Sequence, residues 1–169
     1  YVMIVLLSSI FFILLILLKQ SPFRPLDPEQ LAVLVDGKGL NPLLKNPWMV
    51  IHPPMLFLGY TSTIVTSAYA IAGLWKQKFS EWMTPAMPWA LFTTAVLGLG
   101  VMMGGYWAYV TLGWGGYWAW DPVENASIFP WFTLVACFHG ILLFKASGSF
   151  LKTTIFLAII SYFLMLYGS

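Results

Sequence analysis

Charge is what this chain has least of. Only 8% of its 169 residues are Asp, Glu, Lys or Arg, and the net charge is +2. There is no basic surface of the kind that holds nucleic acid. One cysteine, Cys137, excludes an internal disulfide and a Cys-x-x-Cys redox pair. Set in an apolar run, it is expected to be a small buried hydrophobe. His52 and His139 are the only histidines. Zinc would need three or four clustered His, Cys or carboxylate ligands, and the sequence offers no such cluster. An initiator Met is also missing. The chain opens at Tyr1 inside one apolar run and stops at Ser169 after another. It reads as a piece of a longer membrane protein, or as one product of a split gene. The first run is too long for a typical signal-peptide core and is followed by no small-residue cleavage site.

What is present is apolar. Hydrophobic residues make up 60% of the chain and the mean hydropathy is +0.82. That composition belongs in a bilayer. Several windows supply the roughly 20 apolar residues needed to cross about 30 Å of hydrocarbon. The expected fold is all-α, an integral membrane protein of about five transmembrane helices with a tryptophan-rich segment. The helices are expected over residues 1–19, 49–75, 89–112, 131–145 and 151–168. A polar connection fills 20–48, short turns fill 76–88 and 146–150, and the aromatic segment fills 113–130. No soluble domain and no internal repeat is expected.

Local signals refine this map. Asp27, Pro28 and Glu29 read as a cap, a first-turn proline and an early acid. They predict a short amphipathic helix to Asp36, stopped by Gly37 and resting on the membrane surface. Pro53 and Pro54 fit a first helical turn, and the residue before a proline avoids helical geometry. His52 is therefore expected at the helix entrance, on the membrane rim. Gly100 and Gly104 have the spacing that lets membrane helices approach closely; clearance for a cofactor is the other reading. Charge does not fix orientation, because each side of the membrane collects four Lys or Arg.

The stretch from Trp107 to Trp131, WAYVTLGWGGYWAWDPVENASIFPW, organises the chain. It holds five of the nine tryptophans and no Lys or Arg. Trp and Tyr gather where a membrane meets water. A dense run with paired glycines goes further, and suits a shelf for a large flat ligand. Asp121, Pro122 and Glu124 spell a helix start close to a capping box, and a helix amino end also attracts anions.

Ionisable groups inside a span are costly and mark function by default. His139 lies nine residues beyond Pro130, about 13 Å into a span that would begin there. Two axial ligands of one iron stand about 4 Å apart, given metal–nitrogen bonds near 2 Å. Histidines at different depths thus point to two centres if both are ligands. Haem needs only one or two axial residues and an apolar or aromatic pocket. Spacing alone does not separate handling haem from using it in electron transfer.

WGGYWAWDPVENASIFPW resembles the tryptophan-rich signature of the WWD haem-handling superfamily of cytochrome c maturation. The DPVEN continuation and the upstream GLNPLLKNPWMVIHPPMLFLGY are similar to its CcmF/NrfE family. The resemblance runs from about Gly39 to the end. It implies that the signature faces the periplasm or intermembrane space, in a bacterial or mitochondrial inner membrane. It implies that His52, from the HPP motif, is an outer-face haem ligand and that His139 binds a permanent b-type haem within the membrane. The haem platform would comprise Trp114, Gly115, Gly116, Trp118, Trp120, Asp121, Pro122, Glu124, Asn125 and Trp131. Implied partners are the haem chaperone CcmE, CcmH/CcmI-type apocytochrome-handling subunits, apocytochrome c, and the remainder of the same protein, with quinol as a source of electrons. The implied activity is haem ligation, a cytochrome c haem lyase function with no catalytic nucleophile supplied by this chain. Two further family histidines would fall beyond Ser169, so each centre has half its ligands here. The alternatives are a haem transporter or exporter, and a b-haem electron-transfer anchor.

Overall fold

A computed structural model describes residues 1–19, 21, 25, 27–29 and 39–168. The described residues hold five helices long and apolar enough to cross a membrane. These are α1 (Val2–Lys19), α2 (Pro47–Trp75), α3 (Met83–Thr111), α4 (Pro122–Ser147) and α5 (Leu151–Gly168). The chain is an all-α integral membrane protein. The amphipathic helix expected from Pro28 to Asp36 lies largely outside the described residues.

Two units divide the chain, one of Val2–Lys45 and one that includes Asn46–Ser169. In the first, α1 is apolar throughout and buries none of its residues. A 3-10 turn at Pro42–Leu44 follows, capped by the Asn41 side chain, which accepts from the Leu43 N–H at 3.0 Å.

The second unit is a ring of four helices. α2 packs on α3, α3 on α4, α4 on α5, and α5 back on α2. Between helices in lipid there is little hydrophobic driving force, so close backbone approach and polar contacts hold the bundle. The buried residues fit that rule. Ser62, Thr63, Thr66, Ser67, Ala68 and Ala70 line α2. The Ser67 hydroxyl donates to the Ala158 carbonyl across the α2–α5 interface. A Cβ at Gly59 would stand 2.7 Å from the Leu97 Cα, and one at Gly100 would stand 2.9 Å from the Leu56 backbone nitrogen. Cys137 is fully buried with its Sγ 3.8 Å from the Thr154 carbonyl, as a small buried hydrophobe should be.

Two helix starts differ from those expected, each for a local reason. α2 begins at Pro47, because Asn46 caps it by accepting from the Trp48 N–H at 2.9 Å. Pro53 and Pro54 then fall inside the helix, and His52 is helical rather than at its entrance. The bias against helix before proline is overridden by the cap upstream. α3 begins at Met83 instead of residue 89, with Pro85 in its first turn, where backbone N–H groups have no intrahelical partner. α4 begins at Pro122 with Asp121 as its cap, as those residues spelled, and the span expected from residue 131 is the continuation of this helix, with Pro130 a buried interior residue.

Candidate functional site

The end of the bundle where α2 begins and α3 ends is fastened by side chains. Asn46 donates its amide N–H to the Thr111 hydroxyl at 3.2 Å. Trp48 and Tyr106 meet edge to face with ring centroids 4.9 Å apart. Beyond α3 the chain folds back on it. Tyr117 stacks on Tyr109 at 4.2 Å with planes 5° apart. Its carbonyl lies 3.0 Å from where a Cβ on Gly105 would stand. Exposed rings gather here: Tyr106, Tyr109, Trp114, Tyr117 and Trp120.

The aromatic turn ends in strain. Gly115 sits at φ 76°, which glycine adopts freely, but Trp120 sits at φ 61°, which a bulky side chain rarely does. The start of α4 holds it there. The Asp121 carboxylate accepts from the Glu124 N–H at 2.7 Å, and the Glu124 carboxylate accepts from the Ala119 N–H at 2.8 Å and the Asp121 N–H at 3.4 Å. This is a complete capping box. Asn125 adds a hydrogen bond from its amide nitrogen to the Trp120 carbonyl at 3.2 Å.

Beneath this turn lies a cavity of about 140 Å³. His52 comes to it from α2, Gly104, Gly105 and Trp107 from α3, Trp114 and Trp118 from the turn, and Asp121 and Glu124 from the cap. The His52 Nδ1–H donates to the Gly100 carbonyl at 2.8 Å, which fixes the tautomer and leaves Nε2 with its lone pair. The indole N–H groups of Trp107 and Trp118 are buried without a partner. A buried unpaired donor costs about 1–3 kcal/mol.

Not every expected platform residue meets here. Gly115, Gly116 and Trp120 shape or crown the turn without lining the cavity. Pro122 and Asn125 face a separate groove between α4 and α5. Trp131 is placed elsewhere: its indole donates to the Thr94 carbonyl at 2.9 Å and its ring fills the space beside Gly98. That is a contact between α3 and α4. Trp107, the first residue of the aromatic stretch, also lines the cavity, and Gly100, read from sequence as packing or clearance, supplies the carbonyl that His52 bonds. That bond joins residues 48 apart, so no local pattern announces it.

His139 stands apart, exposed on α4 with its Nδ1–H donating to the Val135 carbonyl at 2.8 Å. Its Nε2 too is left as a free acceptor. It lies seventeen residues beyond Pro122, about 26 Å along α4, deeper than a start at residue 131 suggested. His52 lies five residues beyond Pro47, about 8 Å along α2. Among the described residues no group of three or more His, Cys, Asp or Glu could hold a metal ion.

The donor set fits haem better than a bare metal. Each imidazole presents one nitrogen, and His52 does so beside aromatic walls. The cavity is smaller than the roughly 300 Å³ of pockets that enclose a drug-sized ligand. It does not enclose a porphyrin, and Trp114 and Trp120 are exposed rings of the turn above it.

Five helices long and apolar enough to cross a membrane, four of them in one bundle, define a polytopic membrane protein. The chain matches the family described as cytochrome c assembly protein over residues 1–168, and belongs to that family. The cytochrome c-type biogenesis protein CcmF of Haemophilus influenzae is 41% identical over 162 residues, 95% of this chain and 24% of that protein. CcmF of Escherichia coli K12 is 40% identical over 162 residues, 95% of this chain and 25% of that protein. The probable cytochrome c-type biogenesis protein NrfE of the same organism is 36% identical over 158 residues, 93% of this chain and 28% of that protein. A solved structure of the cytochrome c haem lyase CcmF superposes with a TM-score of 0.80 at 30% identity, covering 98% of this chain and 26% of that one. The chain thus spans about a quarter of the length of the curated relatives it matches.

Proposed function

We propose that this chain supplies the haem-presenting surface of a cytochrome c haem lyase, facing the periplasm or intermembrane space. The observation that carries the reading is the juxtaposition at the cavity. A histidine held with Nε2 free shares its walls with two unpaired indole donors, under a turn of exposed aromatic rings.

Haem, delivered as substrate by a chaperone such as CcmE, lies across this face with His52 Nε2 on its iron. Trp107 and Trp118 wall the cavity beneath it. The exposed rings of Trp114 and Trp120 cover the porphyrin and exclude water. The thiols of an apocytochrome Cys-x-x-Cys-His segment, presented by CcmH/CcmI-type subunits, add across the two vinyl groups. Sulfur bonds to one vinyl carbon and the thiol hydrogen goes to the other. The protein contributes orientation, which turns a bimolecular addition into an effectively unimolecular one. His139, with Nε2 unpaired on an exposed face of α4, would hold a b-type haem, which would supply one-electron chemistry to keep the delivered iron reduced with quinol as the electron source; the remainder of the protein would complete both sites.

The test supplies the intact protein with a haem donor and an apocytochrome, and follows the thioether product. His52→Ala should abolish the product while the protein stays folded in detergent. An undiminished yield would overturn the reading.

A further inference from the structure

His52 owes its orientation to an absence on the facing helix. A Cβ built on Gly104 would stand 2.5 Å from the His52 Cε1 and 3.0 Å from both ring nitrogens. Real Cβ atoms do not approach so closely, so the imidazole occupies the volume that any other residue at 104 would fill. One turn earlier on α3, Gly100 supplies the carbonyl that accepts from Nδ1 at 2.8 Å. A Cβ there would meet the Leu56 backbone, one turn beyond His52 on α2. The two glycines are therefore not equivalent. Gly100 lets the backbones of α2 and α3 approach, which brings its carbonyl within reach of the ring. Gly104 clears the room in which the ring lies.

We infer that Gly104 is a positioning residue for the haem-ligating histidine, holding the His52 ring in the pose that keeps Nδ1 on the Gly100 carbonyl and Nε2 free for iron. This rests on the haem-presenting reading above, and it adds a residue that acts through His52. A methyl group at 104 would turn the ring off the carbonyl or push α2 away, and in either case the tautomer lock opens. Lateral errors of about 1 Å in a positioned group can cost on the order of a hundredfold in rate.

Gly59 supplies the control. A Cβ there would stand 2.7 Å from the Leu97 Cα, so Gly59→Ala strains the same pair of helices two turns away without touching the ring. The experiment uses the intact protein with nitrogen-15 histidine, identifying the His52 signals by their loss in His52→Gln. Wild type should show a single His52 tautomer, protonated at Nδ1. Gly104→Ala should show both tautomers and about a hundredfold slower thioether formation. Gly59→Ala should lower thermal stability and keep the single tautomer. An unchanged Nδ1–H signature in Gly104→Ala would overturn the inference, whatever the yield. So would loss of the signature in Gly59→Ala as well, because general loosening of the helices would then suffice. A lost signature in Gly104→Ala alone, with undiminished cytochrome c yield, would support the positioning geometry and instead remove His52 from the iron.

Discussion

Trp131 donates its indole N–H to the Thr94 carbonyl at 2.9 Å, and a Cβ on Gly98 would stand 2.6 Å from that same nitrogen. The last tryptophan of the aromatic stretch is therefore a peg between α3 and α4. Gly98→Ala overfills this contact and should cost about 1–3 kcal/mol of stability. Thermal unfolding in detergent would show it. Cytochrome c yield per folded molecule should stay at the wild-type level, since neither residue lines the His52 cavity.

The capping box makes a second, separable prediction. Asp121→Ala removes the acceptor for the Glu124 N–H and should cost about 0.5–2 kcal/mol. Asp121→Asn and Glu124→Gln keep the acceptors and should cost little, because a capping box works with amide as well as carboxylate side chains. Unfolding midpoints of the three variants would check this. If the amide variants fold normally yet fail to capture haem, the carboxylate charges act on the ligand and not only on the helix.

How much of this was legible depended on how local the physics was. Asp121 and Glu124 bond within one turn, and the sequence motif predicts that geometry directly. The five apolar runs were equally plain, because bilayer thickness sets their length. The start of α2 and the extent of α4 were obscured by proline, which can begin a helix or lie within one. Pro53 looked like a first turn while the cap Asn46 stood upstream, and although Asp121 was legible as a cap, Pro130 hid that its helix runs on unbroken into the span. For Gly100 and Gly104 the spacing left helix packing and clearance both open. The structure shows close approach at Gly100 and room for an imidazole at Gly104. The partner that orients His52 is 48 residues away, and nothing near either residue signals it.

The unpaired indoles predict a trade of stability against capture. In the absence of ligand, the N–H groups of Trp107 and Trp118 are buried and unsatisfied. Trp107→Phe removes such a donor while keeping an aromatic ring. The ligand-free protein should then be no less stable than wild type beyond the cost of the smaller ring, because about 1–3 kcal/mol of desolvation penalty is relieved. Haem capture weaker by about tenfold, the equivalent of one hydrogen bond of about 1.4 kcal/mol, would show that the ligand draws this N–H to itself, and unchanged capture would leave the indole a packing group. Trp118→Ala should cost more capture than Trp120→Ala, since Trp118 lines the cavity and Trp120 lies outside it. Haem titration followed by absorbance would rank all three. Equal effects for Trp118 and Trp120 would mean that the exposed rings, rather than the cavity, hold the ligand.

Two histidines with the same local chemistry should behave as two independent sites. Each gives its Nδ1–H to a backbone carbonyl and keeps Nε2 free, but His52 does so across helices at the cavity, and His139 within α4 on an exposed face. Their positions differ by about 18 Å when each is measured along its own helix, far more than the roughly 4 Å between axial ligands of one iron. In the intact protein, His139→Ala should abolish the stable b-type haem spectrum. His52→Ala should leave that spectrum in place and stop cytochrome c formation. Absorbance of the reduced, purified variants would read the first effect, and haem staining of the product cytochrome the second. Equal loss of the b-type spectrum in both variants would mean one shared centre. The helices would then have to bring together imidazoles that their positions along α2 and α4 keep apart.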